Sequence, residues 1–418
     1  MISSHRLERM LFNNLTWPMS KRLLMLGGSK LQVPAIQQAQ QHGCYVIICD
    51  YLPGNPGRSI ADEYHNVSTT DREAVLRLAQ TLRIDGIVAY ASDPAAPTAA
   101  YVANALGLPG NPYQSVLTLT RKDLYREFLA ANGFNTPRFR TVTTAAEARI
   151  AGCGLTWPVV IKPVDSSGSR GVTIVEEQDS VEAACAAALA FARHKAIVIE
   201  EYVDTEYRQL QFEGDGFVCD GRLVFRAFCD GNFDRLGSPV VPIGVTFPSV
   251  YGREIQERAH SEIQRLVSLL GIERGALNFD MRVDRQGQIF LMEIGPRNGG
   301  NMLPQVIQRA TGVDLIDYTL RSALGLDCSD LKMADVNGFH ASYVLHAIED
   351  GVFEGISFSD TIQARIVSRD IWVKPGQSVS RFDGSHKALG TLTLEFDTFE
   401  NMRHAIENME QHVRVNLQ

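Results

Sequence analysis

VVIKPVDSSGSRGVTIV (159–175) decides the fold. Its β-branched start reads as a strand that delivers Lys162 at its end. Pro163 removes a ladder donor and stops regular pairing. SSGSRG (166–171) is a small, pliant loop, and GVTIVEE (171–177) begins the next strand. Backbone N–H groups in a Ser/Gly loop can close on phosphate oxygens because little side chain intervenes. A lysine held beside them adds a point charge for the same phosphates. A plain hairpin loop with a surface lysine has the same composition, because glycine also serves turn geometry. The segment therefore takes its meaning from its surroundings.

Further along, GALNFDMRVDRQGQIFLMEIGPRNGGN (275–301) reads as two strands joined by a DRQG turn, with Asp280 on the first and Glu293 on the second. Pairing about the turn sets the two carboxylates opposite each other or nearly so. Like charges in that position are destabilising and want a cation. Mg²⁺ held by one or two carboxylates plus substrate phosphates is the natural answer. Arg297, in the Pro/Gly-rich turn beyond Glu293, can clamp a carboxylate or a transferring phosphoryl group. Two solvated strand-end acids and a surface arginine would read the same way. Between these segments, VIEEYVD (198–204) ends an apolar strand in Glu200 and Glu201. Such a strand end offers backbone groups to an adenine edge, with Val203 in the floor and Glu206 within reach of a ribose.

The N-terminal part alternates differently. RLLMLGG (22–28), a helical stretch, YVIICD (45–50), a second helix, DGIVAY (85–90) and a third helix predict a doubly wound parallel sheet. GLPGNP (107–112) is a turn-rich boundary. In GFVCDGRLVF, Asp220-Gly221 signals a hairpin. The expected organisation is a flexible leader (1–20), a Rossmann-like domain (21–113), a central α+β domain (114–330) with a lid at about 135–203, and a small α+β domain (331–418). Met19 is a second candidate start. The 418 residues carry a formal net charge of -8, which argues against a nucleic-acid partner. The seven cysteines are scattered without a CxxC pair, as in a reduced, cytoplasmic protein. No apolar run is long enough for a membrane span. P-loop, GxGxxG, HExxH and GxSxG motifs are absent, and the histidines show no metal-ligand spacing.

In this order the segments resemble the ATP-grasp superfamily, in the branch of carbamoyl-phosphate synthase large subunit, biotin carboxylase and the purine-pathway ligases. The resemblance runs from residue 21 to 418 through TRKDLYREFLAANGFNTP, VVIKPVDSSGSRGV, IEEYV and MEIGPRNGG. It implies ATP and Mg²⁺ (or Mn²⁺) as cofactors. Lys122 and Lys162 would serve as nucleotide-phosphate lysines. Ser166, Ser167, Gly168, Ser169 and Gly171 belong to the mobile loop, and Glu201 and Val203 are the adenine-facing backbone positions. Glu200 becomes the hinge acid, Glu206 or Gln211 the ribose partner, Asp280 and Glu293 the metal ligands, and Arg297 the cation of the acyl-phosphate transition state. The implied activity is ADP-forming ligation of a carboxylate to an amine, both small molecules, in an enzyme that forms a homodimer in look-alikes.

The chain departs from the family at one place. Gly295 stands where Glu-x-Asn-Pro-Arg has a metal-holding asparagine. Water, a swing of Asn298 or Asn301, or a single tight metal would compensate, and Asn301 could instead face the acceptor. A non-catalytic ATP-binding protein is one alternative. A dinucleotide-binding oxidoreductase is another, kept open by Asp50, which follows Gly28 at the ribose-acid distance. The GGS turn (27–29) and the Ser92-Asp93 turn lie where part of the acceptor is often held.

Overall fold

The computed structural model describes residues 17, 20–152, 154–233 and 240–418. The segment read as a leader, with Met19, lies outside these residues except for Trp17 and Ser20. Strands β1 (Arg22–Leu26), β2 (Tyr45–Cys49), β3 (Glu63–His65) and β4 (Gly86–Val88) form a parallel sheet in the order β3-β2-β1-β4. Successive β1 residues feed two different cores. Leu24 and Leu26 face one, while Leu23 and Met25 face the other. A strand buried on both faces must read as the continuous apolar run found here. The second core also contains Ile316 and Leu320, so this sheet is docked on the rest of the chain through the helix Leu315–Ala323.

The turn after β1 answers the oxidoreductase alternative. The backbone N–H of Gly28 donates to Asp50 Oδ2 at 3.0 Å, and Asp50 is buried. A Cβ on Gly28 would stand 2.0 Å from Asn55 Oδ1. Asp50 is engaged in closing the turn, its other oxygen accepting from the Leu52 N–H at 2.8 Å, so it is not free to meet a ribose.

The segment expected to form a lid is an antiparallel sheet of β5 (Phe139–Val142), β6 (Val159–Pro163), β7 (Thr173–Val175) and β8 (Ile197–Glu201), ordered β5-β8-β6-β7. The Ala-rich helix Val181–Phe191 covers one face, packing Cys185 and Ala188 on Val159, Ile161, Ile197 and Ile199. The other face looks onto the central sheet.

That sheet contains β9 (Leu210–Cys219), β10 (Arg222–Phe233), β11 (Pro242–Phe247), β12 (Arg274–Val283) and β13 (Ile289–Gly295). The hairpin turn between β9 and β10 has positive φ at both Asp220 and Gly221, the conformation that suits Asp-Gly. The remaining strands are β14 (Phe339–Leu345), β15 (Gly351–Phe358), β16 (Ile366–Ile371), β17 (Ser378–Val379), β18 (Gly390–Phe396) and β19 (Val413–Leu417). Three of them extend the central sheet to eight strands, β13-β12-β9-β10-β11-β14-β18-β16, so pairing continues across residue 331. The others form β17-β15-β19. The chain ends in the helix Phe399–Glu407, a short helical turn Met409–His412, and β19, whose five residues are too few for periodicity to announce a strand.

One buried group ties these layers together. The helix Lys122–Ala131 starts with Lys122, and Arg126 lies one turn later on the same face. Arg126 is fully buried. Its Nε donates to Glu200 Oε2 at 2.7 Å and its Nη1 to the Met292 carbonyl at 2.8 Å. Helix, lid strand β8 and central strand β13 thus meet at one guanidinium. Removing one partner of such a pair strands the other charge in a low dielectric. Arg126→Met is expected to cost about 3–5 kcal/mol in urea unfolding, and a loss within experimental scatter would contradict this role.

Candidate functional site

The lid's inner face and the central sheet enclose a cleft of about 410 Å³. Lys162, at the end of β6, points into it. Its Nζ lies 2.5 Å from Glu200 Oε1, so Glu200 is shared between Lys162 and Arg126. Burial alone would raise the Glu200 carboxyl, but the two cations outweigh it and hold it down at about 2. Burial pushes Lys162 the other way, down to about 8, with Glu200 opposing and Arg126 adding to the shift. Lys122 Nζ donates to the Ser166 carbonyl at 3.1 Å and pairs with Glu293 Oε2 at 2.8 Å. Two lysines from different elements therefore meet under the glycine loop.

In that loop, Gly168, Ser169 and Gly171 all have positive φ. Ser166, Ser167, Gly168 and Ser169 line the cleft, whereas Gly171 packs toward Pro163 and Phe191. A Cβ on Gly168 would stand 2.5 Å from Ser385 Oγ, so the loop rests on the C-terminal segment, and Ser385 itself lines the cleft.

On the facing sheet, Asp280 and Glu293 are direct cross-strand partners. Glu213 on β9 is the partner of Asp280 on its other side, which makes a row of acids across three strands. Burial and the Glu293 charge raise Asp280. Burial would raise Glu293 too, but Lys122 outweighs it and holds it low. Among the described residues no group of three or more His, Cys, Asp or Glu is arranged to hold a metal by itself. The pair Asp280 and Glu293 nevertheless fits a divalent ion shared with phosphates, since one or two carboxylates suffice. Half-buried like charges opposite each other are relieved by such an ion, and Lys122 supplies part of that positive charge.

Arg297 is pinned by a residue that sequence order does not suggest. Its Nε and Nη2 donate to Asp93 Oδ1 and Oδ2 at 2.7 and 2.6 Å, and its Nη1 donates to Asn278 Oδ1 at 2.7 Å. Burial would lower Arg297, but Asp93 more than compensates and keeps it charged. This pair explains Gly295. A Cβ there would stand 2.7 Å from Asp93 Oδ1 and 3.1 Å from Arg297 Cζ. The space of a family asparagine is occupied by the ion pair. Asn298 does not replace it, being fully buried with its Oδ1 accepting from Thr319 Oγ1. Asn301 lines the cleft with φ +50°.

At the hinge, Glu200, Glu201 and Val203 line the cleft. The Glu201 side chain turns away to Arg138 and to the Thr156 N–H, leaving only its backbone for a ligand. Glu206 is exposed and outside the cleft lining, whereas Gln211, on β9, lines it and donates to the Met281 carbonyl at 2.7 Å. The strand begins at Leu210 and carries Gln211 inward, so the register brings Gln211 and not Glu206 into the cleft.

Three contributors were missed. Arg126 had a signal, its spacing of four from Lys122. Glu213 had one in the alternation Gln211, Glu213, Asp215. Ser385 had none, because long-range packing alone brings it in. Asp93 is expected only as part of the Ser92-Asp93 turn, and its pairing with Arg297 has no local signal.

Residues 155–305 match the family described as ATP-grasp domain. An uncharacterized protein of Sinorhizobium fredii is 28% identical over 330 residues, covering 76% of this chain and 66% of that protein, just under two thirds of its length. The formate-dependent phosphoribosylglycinamide formyltransferase of a Synechococcus species is 26% identical over 386 residues, covering 88% of this chain and 94% of that protein. The crystal structure of an L-amino acid ligase from Bacillus licheniformis superposes with a TM-score of 0.79 at 21% identity, covering 96% of this chain and 100% of the other. Among the described residues no helix is long and apolar enough to cross a membrane.

Two outcomes follow from the geometry. Lys162 carries its charge below a pH of about 8 and loses it above, so calorimetric ADP affinity should be level below that pH and fall above it; a flat profile through that value would contradict the assignment. Gly295→Asn should destabilise the fold by about 1–3 kcal/mol through overpacking. Its effect should be non-additive with Asp93→Ala in a double-mutant cycle of urea stabilities, and simple additivity would show that the two positions do not compete for space.

Proposed function

We propose that this chain, which carries an ATP-grasp domain over residues 155–305, is an ADP-forming ligase that activates a carboxylate as its acyl-phosphate and joins it to an amine. The observation that carries this reading is the convergence in one cleft of Lys122, Lys162, the glycine loop, the Asp280–Glu293 pair and Arg297. Phosphoryl transfer asks little covalent chemistry of a protein and much alignment and charge neutralisation. That is what these residues supply.

The adenine takes the hinge, against the backbone of Glu201 and Val203, between Val160 and Ile174 of the lid and Met292 of the central sheet. Lys122 and Lys162 hold the phosphates, with loop 166–169 above them. Asp280 and Glu293 would hold Mg²⁺ or Mn²⁺, which when bound neutralises phosphate charge. The carboxylate oxygen attacks the γ-phosphorus as the bond to ADP breaks. The amine then attacks the acyl carbon, the C–N bond forms, and inorganic phosphate leaves with the proton. Arg297 stabilises the charge that gathers on the acyl-phosphate, and Asp93 and Asn278 hold its guanidinium in place. Closure of the lid and loop keeps water from the acyl-phosphate.

A non-catalytic nucleotide binder would have no need to keep Arg297 so firmly placed. Gly295 preserves that placement by admitting Asp93, so the departure from the family pattern does not mark a decayed site. ADP release screened over carboxylate and amine pairs tests the reading. Lys162→Ala should abolish turnover, and Asp280→Asn and Glu293→Gln should raise the Mg²⁺ concentration needed for half-maximal rate. Unchanged ADP release in all three variants would remove the site from the reaction.

A further inference from the structure

Asp215 on β9, Asn278 on β12 and Gly295 on β13 are cross-strand neighbours in that order. Gly295 has no side chain, and the Arg297 guanidinium takes its place in the row. Arg297 Nη1 makes two hydrogen bonds. It donates to Asn278 Oδ1 at 2.7 Å and to the Asn298 carbonyl at 3.0 Å. Each acceptor belongs to an amide whose N–H side ends on Asp215. Asn278 Nδ2 donates to Asp215 Oδ1 at 2.9 Å. The Gly299 N–H, in the same peptide as the Asn298 carbonyl, donates to Asp215 Oδ1 at 3.0 Å and Oδ2 at 2.8 Å. A Cβ on Gly299 would stand 2.9 Å from Asp215 Oδ1 and 2.5 Å from Leu303 Cδ2, so glycine is what lets the turn come this close.

Asp215 is fully buried and does not line the cleft. Burial pushes its carboxyl up to about 6, with the Gly299 N–H, Asn278 and Arg297 opposing, so it is a carboxylate at neutral pH. A buried charge is destabilising unless donors surround it, and here the donors are the two amides. An acceptor-only group is required at this point, because an asparagine would turn an NH₂ toward one of them. Hydrogen bonds in such chains polarise one another, so the carboxylate both orients the two amides and strengthens their oxygens as acceptors.

We propose that Asp215 is a positioning residue for Arg297, holding Nη1 through the Asn278 side chain and through the peptide between Asn298 and Gly299. Asp93 holds the other edge of the guanidinium, so the cation is fixed from both sides. The consequence for the acyl-phosphate rests on the ligase reading of the cleft, whereas the hold on Arg297 does not.

Nuclear magnetic resonance of the full chain labelled with [15N]arginine tests the hold without any substrate. The Arg297 side-chain signals are those missing in Arg297→Lys. In Asp215→Asn they should exchange with water about tenfold faster or more, with calorimetric ADP affinity unchanged. Asp215→Ser, too short to reach either amide, reads the same signals if Asp215→Asn does not fold. Arg126, buried on Glu200, is the internal control and should keep its wild-type exchange. Wild-type exchange at Arg297 overturns the proposal, and so does equal acceleration at Arg126, which would mean general loosening. For a carboxylate and amine pair that turns over, kcat should fall about tenfold or more while KM for ATP holds, and Asp215→Asn should cost nothing further in an Arg297→Lys background. A loss that persists undiminished without the arginine overturns the proposal. Absence of wild-type turnover with every pair counts against the ligase reading alone, because exchange at Arg297 still judges the hold.

Discussion

The Glu200 carboxylate is the interaction on which the site depends. It is fully buried and accepts from Arg126 and Lys162 together. Arg126 belongs to the helix that also starts with Lys122, and it reaches the backbone of β13 one residue before Glu293. A single acid therefore fixes the strand β8, the helix that starts with Lys122 and the strand of Glu293 relative to one another. Ion pairs of this kind are poor sources of net stability, because desolvation offsets the attraction. Their value here is geometric. Breaking the set would leave uncompensated charge in the core, so the layers are held in register by the cost of any alternative.

The Asp93–Arg297 pair does the same between the N-terminal sheet and the cleft. It spans 204 positions of sequence and lies at the mouth of the βα turn after β4. Gly295 is the counterpart of that pair. At most positions a missing side chain reads as a missing function. Here the missing Cβ is the condition for the arginine to be clamped from the neighbouring domain, and Gly299 makes room for Asp215 in the same way.

Much of this was legible in the sequence because strand and turn patterns are local. The alternation of β and α over 22–106, the hairpin of 275–301 and the Gly-rich loop each follow from spacing, and pairing Asp280 with Glu293 needs only the turn between them. Gln211 against Glu206 turned on a short loop whose register has no local marker. The eight-stranded sheet was not legible, because β14, β16 and β18 join strands whose partners lie far away in the chain. Asp93 was seen as a turn and not as the partner of Arg297. Glu213 was in plain alternation with Gln211 and Asp215, but a half-buried acid on a strand gains meaning only when its neighbours prove to be acids as well.

The central claim is that an adenine nucleotide lies between lid and sheet with its phosphates on Lys122 and Lys162 and a divalent ion on Asp280 and Glu293. A crystal structure of the full chain with a non-hydrolysable ATP analogue and Mn²⁺, read by anomalous scattering, tests it most directly. The account requires one manganese peak at the two carboxylates, bridged to the phosphates, and the adenine against Val203. A nucleotide bound elsewhere, or manganese bound away from those carboxylates, would contradict it.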